Sequence, residues 1–494
     1  MNPHRTARRR LSAGRALAAC LVSGLFSVAC SQSVSPQPVA IVAPAPSASA
    51  KPPSPPEPLA QAAPTPPQDR QTRLIARVLK RVAAARQLAA TKTVPGVFLS
   101  RDALIQRVKE HVAREVPHEA IRQEGIVLQL LGLLPTRFDY ETETFALLES
   151  QLAGFYEPSD GTMYMASDLD DDNAQATLAH ELVHSLQDQH WDLGKRSAYA
   201  PGEGDKSSAF SALAEGDATS AMADVLIAKS NPGATALDLP QELFTEQIIG
   251  SMSSGPTAHV PHIMKTSLVA PYIDGTLFVH ALRRKGGWEA VNRAWEEPPV
   301  TSEQILHVDK WESHEAALKV SDPPAPGPGW KVDDSDVYGE LGLRLSLEEW
   351  MGARDSGSNA AGWGGDRGVL LQKGETFAFA WRVRFDPAPG ASPDAYAART
   401  WEAMVPAIVA KLSPPAHGKD GAGAQAARQK PRPPHAPPYV CLERPGTGPI
   451  AMARRGRDIV FLAGPANVAT AGWTSAGDCA RSKAWMDEVF AAAK

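Results

Sequence analysis

The stretch Thr177-Leu-Ala-His-Glu-Leu-Val-His-Ser-Leu-Gln-Asp-Gln189 decides how the rest of the chain is read. It contains His180-Glu181-Leu182-Val183-His184, an H-E-x-x-H pattern. Two histidines four residues apart share one helix face, about one turn apart, so both imidazoles can reach one metal ion. The glutamate after the first histidine can reach a water on that ion. The surroundings predict a helix: Leu178, Leu182 and Leu186 repeat at i, i+4 and i+8, and neither Gly nor Pro interrupts the run. At about 100° per residue the leucines fall roughly opposite His180, His184 and Asp188, so one face suits a core and the other a cleft. Ahead of it, Asp170-Asp171-Asp172-Asn173 offers N-caps and negative charge to the positive helix end. This acidic run is not a calcium loop, because Asn173 and Ala179 stand where an EF-hand needs Gly and Glu.

A zinc site needs a third protein ligand. The longer signature H-E-x-x-H-x-x-G-x-x-H fails, since Gln187 replaces its glycine, although His190 falls on its last histidine. Without that glycine turn, a continuous helix carries His190 off the face of His180 and His184. The alternative is Glu215, in the stretch Ser211 to Asp224. That segment is rich in small residues, so it can pack closely on another helix. Leu213, Ala214, Ala218, Ala221, Met222 and Val225 give it an apolar side. A buried acid there needs a partner, and a metal ion is one.

HELVH followed after some thirty residues by Ala214-Glu215-Gly216-Asp217-Ala218 resembles the gluzincin class of zinc metallopeptidases. The resemblance implies one zinc per chain, held by His180, His184 and Glu215 from two helices, with Glu181 as general base. It also implies Asp188 or Asp217 as acids that orient a ligand imidazole. It is specific over about 150–225 and weaker to about 311, where Pro271-Tyr-Ile-Asp-Gly275 and Ser302 to His307 are similar to segments of bacterial HExxH proteins.

The 494 residues suit two or three domains, and a net charge of −5 gives no reason to expect nucleic-acid binding. Residues 1–30 have the form of an export signal: five arginines, then an apolar run too short to span a membrane, ending Ser27-Val-Ala-Cys30. That ending is similar to a bacterial lipobox, which makes Cys30 the expected lipidation site and Cys20 the alternative. Residues 31–70 are rich in Pro, Ala and Ser and read as a tether. The expected product is a lipoprotein anchored in the bacterial cell envelope.

Residues 71–320 read as a mostly helical, zincin-like metallopeptidase domain carrying a small β hairpin. Leu74, Val78, Val82 and Ala85 keep helical spacing, Val94-Pro95-Gly96 breaks it, and Ser100 caps a helix containing Leu104, Val108 and Val112. Glu119 to Leu134 reads as a third helix. Gly154 to Met165 reads as a hairpin turning at Ser159-Asp160-Gly161, a candidate edge strand for extended substrate. A helix is expected near Gln241–Ile249, and another from Pro271 to Trp288, closed by Gly286-Gly287. Tyr272 and His307 are candidates for hydrogen-bonding a tetrahedral oxyanion.

Pro323 to Gly329 marks a boundary, after which residues 330–494 read as a smaller α+β domain. Strands are expected at Glu375–Phe385, Ile450–Arg454 and Asp458–Leu462, helices at Ser392–Leu412 and Arg481–Ala493, and a long insertion at 414–438. Gly362 to Gly368 fails the G-x-G-x-x-G pattern and reads as a tight turn. Cys441 and Cys479 are the only cysteines beyond the export signal and are expected to pair. No G-x-S-x-G elbow or spare cysteine offers a nucleophile, so the expected chemistry is peptide-bond hydrolysis by a metal-activated water. The rival expectation is a non-catalytic envelope lipoprotein that binds a partner or holds structural zinc, with His190 as fourth ligand.

Overall fold

A computed structural model describes residues 67–169, 171–243, 245–246, 260–413, 436–469 and 472–492. The expected signal with Cys20 and Cys30, most of the tether, most of the 414–438 insertion and part of the helix near Gln241–Ile249 lie outside these residues. The described chain is α+β and mostly helical, with two sheets.

Helix α1 (Pro67–Arg86) begins inside the stretch expected to be tether. Proline suits a first helical position because it has no N–H to leave unpaired there. Its buried stripe is Ile75, Val78, Leu79 and Val82, with Leu74 and Ala85 only half-buried at its margin. After Pro95 the chain enters β1 (Gly96–Leu99), a four-residue strand too short to show a period. Helix α2 (Arg101–Glu115) starts at Ser100, whose side chain accepts from Ala103 N–H, and buries Leu104, Val108 and Val112 as expected. Helices α3 (His118–Leu131) and α4 (Tyr140–Gln151) follow.

Strands β2 (Gly154–Glu157) and β3 (Thr162–Ala166) form the expected hairpin, and β1 adds parallel to β3, giving the order β1-β3-β2 with β2 at an edge. Asp168, next to the helix entry, pairs with Arg101 rather than capping. Helix α5 (Asp171–Trp191) carries the H-E-x-x-H stretch, and its leucines 178, 182 and 186 are fully buried. A short α6 (Leu193–Arg196) leads to α7 (Gly204–Ser230).

Helix α8 (His262–Glu296) starts well before the expected Pro271, which sits inside it. Gly286 and Gly287 leave helical geometry and kink the helix rather than ending it. Helices α7 and α8 cross backbone to backbone at Gly216 and Gly275. A Cβ on Gly275 would lie 1.8 Å from Ala212 O, and one on Gly216 would lie 2.1 Å from Gly275 C. The small residues read from the sequence are what this approach requires. Helices α9 (Ser302–Leu306) and α10 (Val308–Glu312) complete this half.

The C-terminal half is an antiparallel sheet ordered β4-β5-β6-β9-β8-β7, with β10 paired to β9. Its strands are β4 (Lys331–Asp336), β5 (Trp363–Lys373), β6 (Thr376–Phe385), β7 (Tyr439–Leu442), β8 (Ile450–Arg455), β9 (Asp458–Asn467) and β10 (Thr474–Ser475). Helices α11 (Gly339–Met351), α12 (Ala353–Ala360), α13 (Ala395–Leu412) and α14 (Cys479–Ala491) accompany it. The glycine run at 362–368, expected as a turn, is a turn at Gly362 and from Trp363 onward the start of β5. Its bare backbone admits the neighbouring segment: Leu318 N–H donates to Gly364 O at 2.6 Å, and a Cβ on Gly365 would lie 2.1 Å from Leu318 O. Strand β6 alternates cleanly. Phe377, Phe379, Trp381, Val383 and Phe385 face one core, while Ala378 and Ala380 lie under α14. Cys441 and Cys479 form a disulfide from β7 to the start of α14.

The two halves share one core. Val127 and Leu130 of α3 and Leu268 and Tyr272 of α8 belong to the same buried cluster as Trp363, Phe379, Trp381 and Phe461. An ionic lock adds to it: Lys310 Nζ donates to Glu303, Glu315 and Asp386 at 2.6, 2.8 and 2.9 Å.

Candidate metal centre and its cleft

Helix α5 presents His180, Glu181 and His184, and α7 brings Glu215 opposite them. All four side chains are buried. His180 Nε2 lies 3.1 Å from Glu215 Oε2 and 3.2 Å from His184 Nε2, and His184 Nε2 lies 3.6 Å from Glu215 Oε2. Three donor atoms therefore converge on one point. A tetrahedral zinc with ligands about 2.0–2.1 Å away would hold its donors roughly 3.3–3.4 Å apart, so the observed triangle has the dimensions of one face of that tetrahedron. The donor set, two imidazoles and a carboxylate, is also that of zinc sites which keep a fourth position for water. Two imidazole Nε2 atoms cannot face each other at 3.2 Å with lone pairs on both, so either one of them carries a hydrogen or a metal ion sits between them.

The electrostatics point the same way. In the protein alone, burial would lower the His184 pKa, but the Glu215 carboxylate overrides it and raises the group to about 9. Burial dominates at His180 and holds it below the ordinary imidazole range. Burial opposes ionisation of Glu215, yet His184 and His180 hold its carboxyl below the usual value. Burial pushes Glu181 well above the usual carboxylate range, with the Glu215 charge adding to it. Glu181 Oε2 accepts the Tyr156 backbone N–H at 3.0 Å, which ties the base candidate to edge strand β2.

The other expected residues separate. Asp188 accepts from the Tyr156 hydroxyl at 3.0 Å and from Gly194 N–H at 3.2 Å, joining α5 to the hairpin and to α6. Asp217 lies one hydrogen bond further from the donors than the resemblance implied. The group that meets a ligand imidazole is Gln187, whose Oε1 is 2.7 Å from His184 Nδ1. Gln187 Nε2 donates to Ala214 O at 3.0 Å and to Asp217 Oδ2 at 3.3 Å. The Tyr272 ring packs 5.9 Å from the His180 ring, centroid to centroid. His307 sits between α9 and α10, its Nε2 2.9 Å from Glu340 Oε1, and does not join the donors. His190 is exposed, with Nε2 2.7 Å from Ala89 O.

A cleft of about 300 Å³ opens beside the donors. His184, Asp188 and Glu215 line it, with Phe155, Tyr156 and Glu157 of β2 on one side and Val108, His111 and Glu115 of α2 on another. Lys195 to Ser197, Ser207, Phe210 and Ser211 are among its other lining residues, and Tyr272 and His307 are not part of this wall. The wall is braced by Glu157, which takes His111 Nδ1 at 3.1 Å and Arg114 Nη2 at 2.7 Å on the same oxygen. Burial works against the Glu157 charge, but His111 and Ser159 outweigh it and lower its pKa to about 2. Reading the sequence alone missed His111, Glu157, Tyr156, Gln187 and Arg86. Only Arg86 left a signal there, since it continues the buried 75-78-79-82 stripe by one turn.

No family model matches the chain, and comparison with curated proteins and with solved structures finds no match. The functional reading therefore rests on the donor geometry and on the motif itself.

Proposed function

We propose that this protein is a zinc-dependent hydrolase of peptide bonds with a gluzincin-type site on a zincin-like helical body. The observation that carries the reading is the convergence of His180 Nε2, His184 Nε2 and Glu215 Oε2 at tetrahedral-face distances, with Glu181 one residue from the first donor. A zinc ion held there would supply a Lewis acid for the scissile carbonyl and make a bound water acidic near neutral pH. The chain supplies the rest. Glu181 takes the proton of the attacking water on its carboxylate and delivers it to the departing amine. The cleft between β2, α2 and the start of α7 gives an extended peptide room to lie beside His184 and Glu215. Apolar Val108, Phe155 and Phe210 line it beside polar Ser207 and Ser211.

The non-catalytic alternative, a closed structural zinc site, needs a fourth protein ligand. Among the described residues only three donors converge, and His190 bonds the Ala89 carbonyl instead. The Cys441–Cys479 disulfide supports an oxidising compartment, in keeping with a lipid-anchored place in the cell envelope; fatty-acid labelling lost in Cys30→Ser tests the anchor. The function is tested on the purified protein by measuring bound zinc and cleavage of an unstructured protein such as casein. Activity should be lost with a chelator and restored by zinc. Cleavage that survives complete zinc removal, or a protein that binds no zinc, would overturn the reading.

A further inference from the structure

Besides the donors, α5 carries a buried amide whose orientation is determined by what surrounds it. Gln187 is fully buried three residues after His184. An amide side chain has one accepting and one donating end. The Ala214 carbonyl and the Asp217 carboxylate can only accept, and both face Gln187 Nε2. That fixes the NH₂ end toward α7 and leaves Oε1 facing His184 Nδ1 at 2.7 Å. An oxygen there accepts, so His184 Nδ1 must carry the proton. With Nδ1 engaged in this way, Nε2 is the nitrogen left to bind a metal ion, which takes the place of any proton there.

Asp217 holds this arrangement because it is itself fixed. Its Oδ2 also accepts from Trp295 Nε1 at 2.8 Å, and its Oδ1 accepts from Arg86 Nε at 2.5 Å. Arg86 comes from α1, 131 residues away in sequence, and its side chain is wholly buried. Its guanidinium lies over the Trp288 ring at 4.4 Å and the Trp191 ring at 5.7 Å, so aromatic faces share its charge. Without Arg86, Asp217 would be a buried carboxylate with no cation beside it. His180 has no matching device: its Nδ1 is buried with no hydrogen-bond partner among the described residues.

We infer that Gln187 is the positioning residue that commits His184 to bind metal through Nε2, and that Arg86 of α1, acting through Asp217, holds Gln187 in that orientation. The inference rests on the zinc reading above, and it makes α1 a working part of the metal centre.

The test measures zinc affinity by competition with a chromophoric chelator. Loss of an outer partner of a ligating histidine typically weakens metal binding 10–100-fold. Gln187→Leu should show a loss of about that size, and Arg86→Met should follow it. Gln189→Leu is the control, because Gln189 lies two residues on and bonds the Thr91 and Lys92 backbone outside the site. It should bind zinc as the wild type does. A second measurement needs no variant: nitrogen-15 spectra of the zinc-loaded wild type, with labelled histidine, should show His184 with a proton on Nδ1 and metal on Nε2. Wild-type zinc affinity in Gln187→Leu, or His184 metallated through Nδ1, would overturn the inference. A wild type that binds no zinc would instead remove the zinc reading on which it stands.

Discussion

Replacing Gly275 by Ala tests how the fold builds the site. Ordinarily this change inside a helix stabilises by about 0.4–1 kcal/mol, because alanine has less backbone freedom to lose. Here the new Cβ would sit 1.8 Å from Ala212 O, 2.7 Å from Ala212 C and 3.0 Å from Gly216 N. Cβ contacts below 3.0 Å essentially do not occur, so α7 and α8 must part by at least 1.2 Å, the difference between 3.0 and 1.8. No rotamer relieves this, because every opposing atom is backbone. Overpacking of a tight core costs about 1–3 kcal/mol, occasionally more, and a backbone clash belongs at the upper end. After the helical gain, a net loss of about 2 kcal/mol is expected. The site should suffer more than the fold. Glu215 is one residue from Gly216, and metal–ligand distances tolerate only about ±0.2 Å, so a shift six times larger moves the third donor out of place. The assay pairs urea unfolding, followed by circular dichroism, with zinc titration. Gly357→Ala, inside α12, is the control: its Cβ would meet nothing within 4 Å, so it should bind zinc as the wild type does and unfold at an equal or higher urea concentration. Wild-type unfolding midpoint and zinc affinity in Gly275→Ala would refute the reasoning.

Glu181→Gln should keep about one zinc per chain while peptidase activity falls by about 10²–10⁴, the usual share of general acid–base catalysis, and loss of the metal instead would make Glu181 a ligand. Glu215→Ala should lose both zinc and activity and His190→Ala neither; the opposite pattern in metal analysis would place the third ligand on the wrong helix. Glu157 titrates at about 2 in the fold against an ordinary 4.5, so its contribution to stability is complete above pH 4.5 and lost as pH falls toward 2. Acid unfolding of Glu157→Gln should lack that component, and identical pH profiles for variant and wild type would count against it. Opening the Cys441–Cys479 bridge, which spans 38 residues, should lower unfolding free energy by roughly 4 kcal/mol in the chain-entropy account, read as a lower denaturant midpoint for the double Ala variant.

What could be read from the chain alone follows from the range of each signal. The leucine stripe and the two histidines of α5 repeat with the helical period, so one segment contained both helix and donors. Glu215 stood out as an acid among small residues, and that smallness proved to be the condition for the Gly216–Gly275 crossing. The alternating β6 was legible for the same reason of period. Strand β1 was not, because four residues show no period and its partner lies 67 residues on. Gly364 and Gly365 read as part of a turn because the Leu318 segment that crosses them is distant in sequence. Pro271 suggested a helix start, but it sits inside α8, where tertiary packing overrides the local preference. Gln187 looked only like a departure from a longer motif, since its meaning depends on Asp217 and Arg86 from two other helices.

Tyr272 touches two things at once. Its ring lies against His180, and it also belongs to the buried cluster that runs into Trp363 and Phe379 of the sheet. The sheet's interior thus reaches within one side chain of His180, a candidate metal donor. Lys310, only 19% exposed, clamps the same two halves with charges that dissolved salt can screen little. The consequence is thermal: the halves cannot melt independently, since parting them would strand aromatic surface on both sides. Heating should give a single calorimetric transition, and the capacity to hold metal should vanish at the same temperature as the sheet.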